Sequence, residues 1–374
     1  NSLDPVITTY ETSIRQQIEM GQVDWQVVVC DEAQKFKNPT TSTSRVVKAL
    51  KSKCRLALTG TPVENGLSEL WSIMDFVQPG LLGSLNEFRK IFIDPLQEGV
   101  QEGANIQEIE QRLFARIAPV YLRRTKHGEL GDQLPKKEIE LISVPMGRDQ
   151  RELYKQVLVQ VKNKEIQPIK AIGELKKICS HPALYSEEYL SLPIEQIPKL
   201  SVTIDILKRI QDQQEKALIF TEYRLMQGIL KRHIAELFNL NPAIINGMTP
   251  ARQSIVDHFN KQPGFGVLIL SPRAAGTGLT ITGANHVIHY TRWWNPAVEN
   301  QATDRAYRIG QQKDVKVYYP VVEDGEGLLA RGTVEQIVHR IMEEKMDLAK
   351  SVIVPSDKLN INIEKEVMQC LAMH

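Results

Sequence analysis

Short apolar runs bounded by polar residues recur along the chain and predict buried strands. A run of about four apolar residues without alternation is typical of a strand covered on both faces of a parallel sheet. The runs lie at Val6-Ile7, Val27–Cys30, Arg55–Leu58, Ala217–Phe220, Val267–Leu270 and His286–His289. They form two groups, within residues 1–62 and 216–322, and therefore predict two lobes.

Helical patterns separate these runs, for example at Arg45–Lys51, Leu225–Leu237 and Ala251–Asn260. Strands that alternate with helices are typical of α/β folds, so each group predicts an α/β lobe. Residues 67–118 and 149–182 show helical periodicity, which predicts helical insertions between the two groups. Apolar residues at i, i+3 and i+4 after Gly332 predict a terminal helix that packs back on the core.

Composition agrees with two globular lobes and limits the partners. The 374 residues are 42% hydrophobic and 24% charged, enough for two cores. The formal net charge is only +1, so a nucleic-acid site must be a local basic stripe. Four scattered cysteines favour a reducing cytoplasm, and no apolar run is long enough to cross a membrane. Cys179 and His181 lack a second Cys/His pair nearby, which speaks against a zinc site.

The first chemical candidate is the pair of carboxylates in "VVVCDEAQ", residues 27–34. Asp31 and Glu32 directly follow an apolar strand, and ligands of open α/β sheets bind at the carboxyl ends of strands. Asp31 could hold magnesium through water, and Glu32 could orient or deprotonate an attacking water. A solvated acidic turn after a strand is an equally good interpretation of these residues taken alone.

Two further strands run into small polar residues. "LALTGTP", residues 56–62, places Thr59 and Thr61 where hydrogen bonds could report the nucleotide state, although a plain strand and turn explain the motif better when it is taken alone. "LILSPRAAGTGLT", residues 268–280, contains Gly276 and Gly278, whose amides could hold phosphates together with Ser271. A lone Gly-x-Gly is weak evidence, because many loops contain it.

Three basic stretches complete the candidates. Arg305 and Arg308 in "QATDRAYRIGQ" are three residues apart, so on a helix they would share a face, and Gly310 would suit its end. They could bind a phosphate or form surface salt bridges. "RWWNP", residues 292–296, could stack on bases or pack in the core, and "YLRRTK", residues 121–126, could bind phosphates or be a solvated face.

The order of these motifs resembles that of the Snf2 family of superfamily 2 DNA translocases. The matching stretches are "ITTYE" (7–11), "DEAQ" (31–34), "LTGTP" (58–62), "LRRTK" (122–126), "ALIFTEY" (217–223), "LSPRAAGTGL" (270–279) and "WWNPAVENQATDRAYRIGQ" (293–311). The last is the most specific, is similar to the bacterial members, and disfavours an RNA helicase of the same superfamily. The resemblance covers about residues 6 to 350.

This resemblance implies an α/β fold with two RecA-like lobes that use ATP and Mg²⁺ and grip double-stranded DNA. The expected domains are a partial lobe 1 at 1–125 with a protrusion at about 67–118, a linker and second protrusion at 126–200, lobe 2 at 201–322 and a C-terminal brace and tail at 323–374. It further implies a cytoplasmic protein on the bacterial nucleoid and leaves open other subunits or domains of a larger complex.

The resemblance also implies roles for individual residues. The catalytic set is Asp31, Glu32, Gln301, Arg305 and Arg308, with Asp31 as the outer-sphere magnesium partner. The coupling set, which links Gln34 to the threonine motif, is Gln34, Thr59, Gly60 and Thr61. The nucleotide-binding glycines are Gly276 and Gly278. The expected DNA contacts are Thr221, Ser271, Arg273, Trp294, Arg123 and Arg124.

The chain also departs from the family pattern. Pro272, Ala275 and Thr280 stand where Thr, Gly and Asn are expected, which weakens the assignment of Ser271 and Arg273. No Gly-x-x-x-x-Gly-Lys-[Ser/Thr] motif is present in the 374 residues. We therefore expect a fragment with a truncated first lobe that does not hydrolyse ATP by itself. The alternative function is a non-catalytic DNA-binding or regulatory module on the same scaffold.

Overall fold

The computed structural model describes residues 4–60, 67–95, 106–124, 134–275, 278–293, 296–327, 329 and 332–350. The described residues up to Arg124 and those from Leu134 to Met346 form the main parts of two compact units, each with its own sheet. Within the described ranges, no helix combines the length and apolar character needed to cross a membrane.

The first unit contains a parallel pair of strands, β1 and β2, with helices packed beside it. Its elements are α1 Tyr10–Arg15, α2 Gln17–Gln22, β1 Trp25–Cys30, α3 Ser42–Ala49, β2 Ser52–Ala57, α4 Leu67–Val77, α5 Leu85–Phe88 and α6 Ile106–Ile117. Phe36 and Phe76 are fully buried against one another, with ring centroids 5.2 Å apart. The aromatic contact fixes α4 against the segment that follows β1.

Two predictions for this unit were wrong. Val6-Ile7 is not a strand, and both side chains are exposed. β1 and β2 form as expected, but they are not buried on both faces, since Val27, Val29 and Leu56 are 50%, 54% and 48% exposed. The reason is that the helices described in this unit pack against only one face of the pair. The unit is therefore covered less completely than its apolar runs predicted.

The second unit is built on a six-stranded parallel sheet of order β3-β8-β7-β4-β6-β5. Its strands are β3 Lys137–Pro145, β4 Lys216–Phe220, β5 Ala243–Ile245, β6 Gly266–Leu270, β7 His286–His289 and β8 Val315–Glu323. Its helices are α7 Arg148–Lys162, α8 Pro168–Ser180, α9 Pro198–Asp212, α10 Arg224–Phe238, α11 Arg252–Lys261, α12 Pro272–Ala275, α13 Pro296–Thr303 and α14 Val334–Lys350. Every residue of β4, β6 and β7 is buried, as the apolar runs predicted.

The edge strand β3 was assigned to the linker and second protrusion, and that assignment was wrong for residues 137–145. β3 pairs with β8 in parallel along its whole length, from Lys137 opposite Val315 to Pro145 opposite Glu323. Its sequence, "KEIELISVP", alternates charged and apolar residues, as expected for a strand at a half-exposed edge. Two segments almost 180 residues apart in sequence thus pair at this edge of the sheet. Just before the paired residues, the backbone N–H of Lys136 donates to the side chain of Asp314.

Helix α14 fulfils the prediction of a terminal helix that packs on the core. Its apolar side, from Val334 to Met342, joins the cluster formed by α7 and α8. Near its start, Glu335 forms a buried ion pair with Lys199 of α9, with Nζ and Oε1 2.6 Å apart, and accepts the Val322 N–H at 2.9 Å. Because a buried charge needs a partner, this pair fixes the start of α14 to α9 and β8.

The buried side chain of His289 should make the stability of the second unit depend on pH. It is stacked on Phe220 and Tyr319, and its Nε2 lies 2.8 Å from Thr303 Oγ1. Burial, aided by the positive charge of Arg292, lowers the pKa of His289 to about 3. The unfolded chain therefore binds a proton that the folded chain excludes as the pH falls below about 6.5. Stability should fall by up to about 1.4 kcal/mol per pH unit from this group.

Urea unfolding between pH 7 and pH 4.5 measures this loss. His289→Phe keeps an aromatic ring without a titrating group and should partly flatten the pH dependence. Flattening is partial because burial also lowers the pKa of His181 to about 4. The exposed His258→Phe is the control. Equal slopes for the His289 variant and the parent chain would contradict the assignment.

Candidate functional site

The carboxylate pair lies at the carboxyl end of β1, where the sequence placed it. Asp31 is exposed, its Oδ1 accepts the Glu32 N–H at 2.9 Å, and its carbonyl accepts the Tyr10 hydroxyl at 2.7 Å. Glu32 has a left-handed backbone, with φ of 50°. A non-glycine residue in this region carries strain of order 1 kcal/mol or more, and such strain clusters at functional sites.

A chain of hydrogen bonds runs from Glu32 to the threonine motif. Gln34 Nε2 donates to Glu32 Oε2, and Thr59 Oγ1 donates to Gln34 Oε1 at 2.7 Å. The predicted link between Gln34 and Thr59 is thus present. Gly60 is exposed beside it, and Thr61 lies outside the described residues. Since one amide joins both partners, the position of the Glu32 carboxylate depends on Thr59.

Arg305 and Arg308 are brought together, though not on a helix as predicted. Helix α13 ends at Thr303, and both arginines lie in the turn that follows, which Gly310 closes with a φ of 99°. Both guanidinium groups donate to the carbonyl of Leu279, over 3.3 Å from Arg305 and 3.2 Å from Arg308. The shared acceptor, not helical spacing, places the two forks side by side.

The two arginines differ in accessibility. Arg305 is only 9% exposed and also donates its Nε to the carbonyl of Gln301 at 3.2 Å. Arg308 is half-buried and donates to Thr280 Oγ1 at 2.9 Å. A cleft of about 510 Å³ opens beside them, and it is lined by Leu134, Thr280, Gln301, Asp304, Arg305, Arg308 and Ile309. Arg305 therefore belongs to the framework of the cleft, and Arg308 presents more surface to it.

A second groove, of about 560 Å³, lies at the carboxyl ends of β4, β5 and β6. Its lining contains the predicted Ser271 and Arg273 and nine further residues, namely Glu222, Arg224, Gln227, Asn246, Gly247, Arg252, Pro272, Ala274 and Trp293. Sequence reasoning missed Arg224 and Arg252. Their positions in the sequence could have indicated them, because each arginine lies within a few residues of the carboxyl end of a strand or of the turn that follows it. Three arginines make this a local basic site on a nearly neutral chain.

Trp293 is the aromatic member of this groove. The guanidinium of Arg273 lies 5.3 Å from its ring centroid, and the ammonium of Lys176 lies 5.9 Å from it. Lys176 is nearly buried and forms an ion pair with Glu222 at 2.6 Å. The neighbouring Arg292 is buried and unavailable to a ligand, and Trp294 lies outside the described residues.

The remaining predicted contacts differ in their accessibility. Thr221 is completely buried, and its Oγ1 lies 2.9 Å from Thr291 Oγ1, so a direct side-chain contact with DNA is not supported. Arg123 and Arg124 are exposed at the end of the first unit. Gly278 is exposed with a φ of 74°, which glycine adopts without strain, whereas Gly276 lies outside the described residues.

The exposed carboxylate of Asp31 is a candidate ligand for a magnesium ion. The described residues contain no cluster of three or more His, Cys, Asp or Glu side chains that could enclose an ion. Mg²⁺ keeps several waters and is commonly bound through one or two carboxylates and the phosphates of a substrate. One exposed carboxylate at a strand end, Asp31, fits such water-mediated binding.

The chain is similar to known proteins along nearly its whole length. Residues 1–184 match the SNF2-related domain, and residues 198–310 match the helicase conserved C-terminal domain. Zorya protein ZorD of Escherichia coli O139:H28 is 40% identical over 95% of this chain and 34% of its own length. The putative ATP-dependent helicase/translocase YwqA of Bacillus subtilis is 39% identical over 94% of this chain and 38% of its own length.

A solved structure matches nearly the whole chain. The Sulfolobus solfataricus SWI2/SNF2 ATPase core in complex with dsDNA is 34% identical, with a TM-score of 0.52, over 97% of this chain and 76% of that one. The mixed α/β fold with parallel sheets is that of its RecA-like lobes. The chain spans only about a third of the length of the two curated relatives, 34% and 38%.

Proposed function

Because this chain belongs to the SNF2 family, we propose that it supplies the motor residues of an ATP-dependent translocase on double-stranded DNA. The observation that carries the proposal is the presence, in one chain, of two complementary sets. One is the Glu32–Gln34–Thr59 hydrogen-bonded chain, and the other is the Arg305–Arg308 pair. A module that only bound DNA would have no need of both.

In the proposed reaction, Glu32 orients the attacking water and accepts its proton. Gln34 holds the carboxylate in place, and Thr59 holds Gln34. Arg308 donates to the oxygens of the transferred phosphoryl group as negative charge develops there, and Arg305 keeps the Leu279 segment beneath it in position. Asp31 would hold magnesium through water, and an ion bound there would supply positive charge against the phosphates. The amide of Gly278 is a further candidate for phosphate binding.

The proposed DNA site is the groove at the ends of β4, β5 and β6. Arg224, Arg252 and Arg273 would bind backbone phosphates, with Ser271 as a neutral donor. The Trp293 ring, already beside Arg273, would contact a base or sugar. Relatives described as a putative helicase/translocase and as an ATPase core bound to dsDNA support this choice of partner. We place the protein on nucleoid DNA in the bacterial cytoplasm.

The binding half of this function can be tested with the 374-residue chain. We expect it to bind a labelled duplex, with an affinity that falls steeply as salt rises, because phosphate contacts release counterions. Arg273→Ala should weaken binding and reduce the slope of log affinity against log salt by about 1. Arg148→Ala, an exposed arginine on α7, is the matched control. An unchanged slope for Arg273→Ala would remove that residue from the DNA site.

The catalytic half requires the full natural protein. Duplex DNA should stimulate its ATP turnover. The 374 residues alone should bind DNA without turnover, because they contain no Gly-x-x-x-x-Gly-Lys-[Ser/Thr] loop to hold the β- and γ-phosphates. Turnover by the 374 residues would show that they hold the phosphates in another way. DNA binding without any turnover by the full protein would favour the non-catalytic module.

A further inference from the structure

Arg292 is one of the largest side chains that the second unit buries completely, and it lies among three elements. It is 1% exposed, and its guanidinium carbon lies 4.1 Å from the ring centroid of Tyr319 on β8. Its Nε donates to Glu299 Oε1 at 3.0 Å, and its Nη1 contacts Nδ1 of His339. One guanidinium thus joins α13, which carries Glu299, to α14, which carries His339.

Glu299 connects this guanidinium to the DNA groove. The carboxylate is 2% exposed, and the same Oε1 that accepts from Arg292 accepts the backbone N–H of Trp293 at 2.7 Å. Trp293 lines the groove together with Arg273. Because one oxygen serves both donors, a shift of Arg292 changes the position available to the Trp293 backbone.

The opposite end of the connection is a neutral acceptor on α14. Burial, together with the positive charge of Arg292, lowers the pKa of His339 to about 4, so its ring is neutral near neutral pH. Because the Arg292 Nη1 that contacts Nδ1 can only donate, this contact selects the tautomer in which Nδ1 accepts. Nη2 of Arg292 is buried and has no hydrogen-bond partner among the residues that the structure describes. The guanidinium therefore depends on Glu299 and His339 for its hydrogen bonds, and a buried donor that loses an acceptor is destabilised or moves.

A second buried contact of α14, at Glu335, involves no residue that lines the groove. Glu335 pairs with Lys199, and their side chains are 1% and 0% exposed. Its other oxygen accepts the Val322 N–H, which lies on β8. Neither Glu335 nor its two partners line the groove. Of these two buried polar contacts of α14, the one at His339 leads to the groove and the one at Glu335 does not.

We propose that Arg292 is a positioning residue that couples the position of α14 to the shape of the DNA groove. The coupling runs from His339 on α14 through Arg292 and Glu299 to the backbone of Trp293. This inference rests on the proposed function, since it assigns a control to the same groove. Movement of α14 away from Arg292 would release the guanidinium, and Glu299 would follow it. DNA affinity would then change although none of the described residues that line the groove lies on α14.

The test replaces His339, the member of the connection that lies on α14. His339→Ala removes the acceptor, and we expect it to weaken duplex binding by the 374-residue chain about tenfold near pH 7.5, within the range known for remote positions. His339→Gln restores an acceptor and should recover most of the affinity. Glu335→Gln breaks the other anchor of the same helix. It should lower the melting temperature at least as much as His339→Ala, without changing DNA affinity more than twofold.

The outcomes separate the two proposals. Weaker binding by His339→Ala, rescue by His339→Gln and unchanged binding by Glu335→Gln would support the connection. Unchanged binding by His339→Ala, or equal losses for the His339 and Glu335 variants, would overturn it and leave the proposed function intact. Failure of the unmodified chain to bind duplex DNA would overturn both. Should His339→Ala not fold, His339→Leu, which keeps the volume, decides in the same way.

Discussion

Alanine in place of Arg308 is expected to slow DNA-stimulated ATP turnover by the full natural protein about 10³-fold. Arg308 is the more accessible of the two arginines, and the cleft beside it is large enough for part of a nucleotide. Its guanidinium would stabilise charge that develops only in the transition state. The loss should therefore appear in kcat, with little change in the KM for ATP.

Three further variants distinguish this role from a purely structural one. Thr280→Val removes the hydroxyl to which Arg308 donates, and it should cost much less than Arg308→Ala if the arginine acts on phosphate. Arg148→Ala, far from the cleft in sequence and exposed, controls for the loss of one positive charge. Arg308→Lys should recover little, since an ammonium lacks the planar fork. Equal losses for the Thr280 and Arg308 variants would identify a structural contact.

Glutamine in place of Glu32 is expected to stop turnover while ATP binding persists. The substitution keeps the shape and the contact with Gln34 but removes the group that accepts a proton, which contributes typically about 10²–10⁴-fold. Single-turnover hydrolysis and the equilibrium binding of a fluorescent ATP analogue, measured on the full natural protein, separate the two steps.

The exposed Glu19→Gln on α2 is the matched control, because it removes the same charge from the same unit. Turnover by Glu32→Gln within tenfold of the parent would exclude Glu32 as the base. Loss of ATP binding together with turnover would instead assign Glu32 to holding the nucleotide.

Much of the fold could be predicted because its central strands are continuous apolar runs. β4, β6 and β7 are buried on both faces, and their mainly apolar composition indicates this burial. β3 could not be found in this way, since alternating charges at an edge resemble a solvated linker. The exposed faces of β1 and β2 were also missed, because an apolar run does not specify how many of its faces are covered.

The site was predictable where neighbours in sequence determine it. Asp31 and Glu32 follow a strand, and their place at its end needed no tertiary information. The left-handed backbone of Glu32 could not be predicted in this way, because it accompanies a tertiary hydrogen bond from the Ala33 N–H to the carbonyl of Leu58, which follows β2. The arginine pair likewise depends on a distant carbonyl, that of Leu279, so helical spacing led to the wrong local structure.

The pairing of β3 with β8 also has a consequence for protein synthesis. About 178 residues separate Lys136 from Asp314, where the two strands begin to meet. At a translation rate of about 5–20 residues per second, a ribosome needs roughly 9–36 s to make the intervening chain. For that time β3 emerges without its partner, with Ile139 and Leu141 on a strand that has no neighbour. β3 can therefore pair with β8 only after residues 315–323 have been translated, and this edge of the sheet is completed late in the synthesis of the second unit.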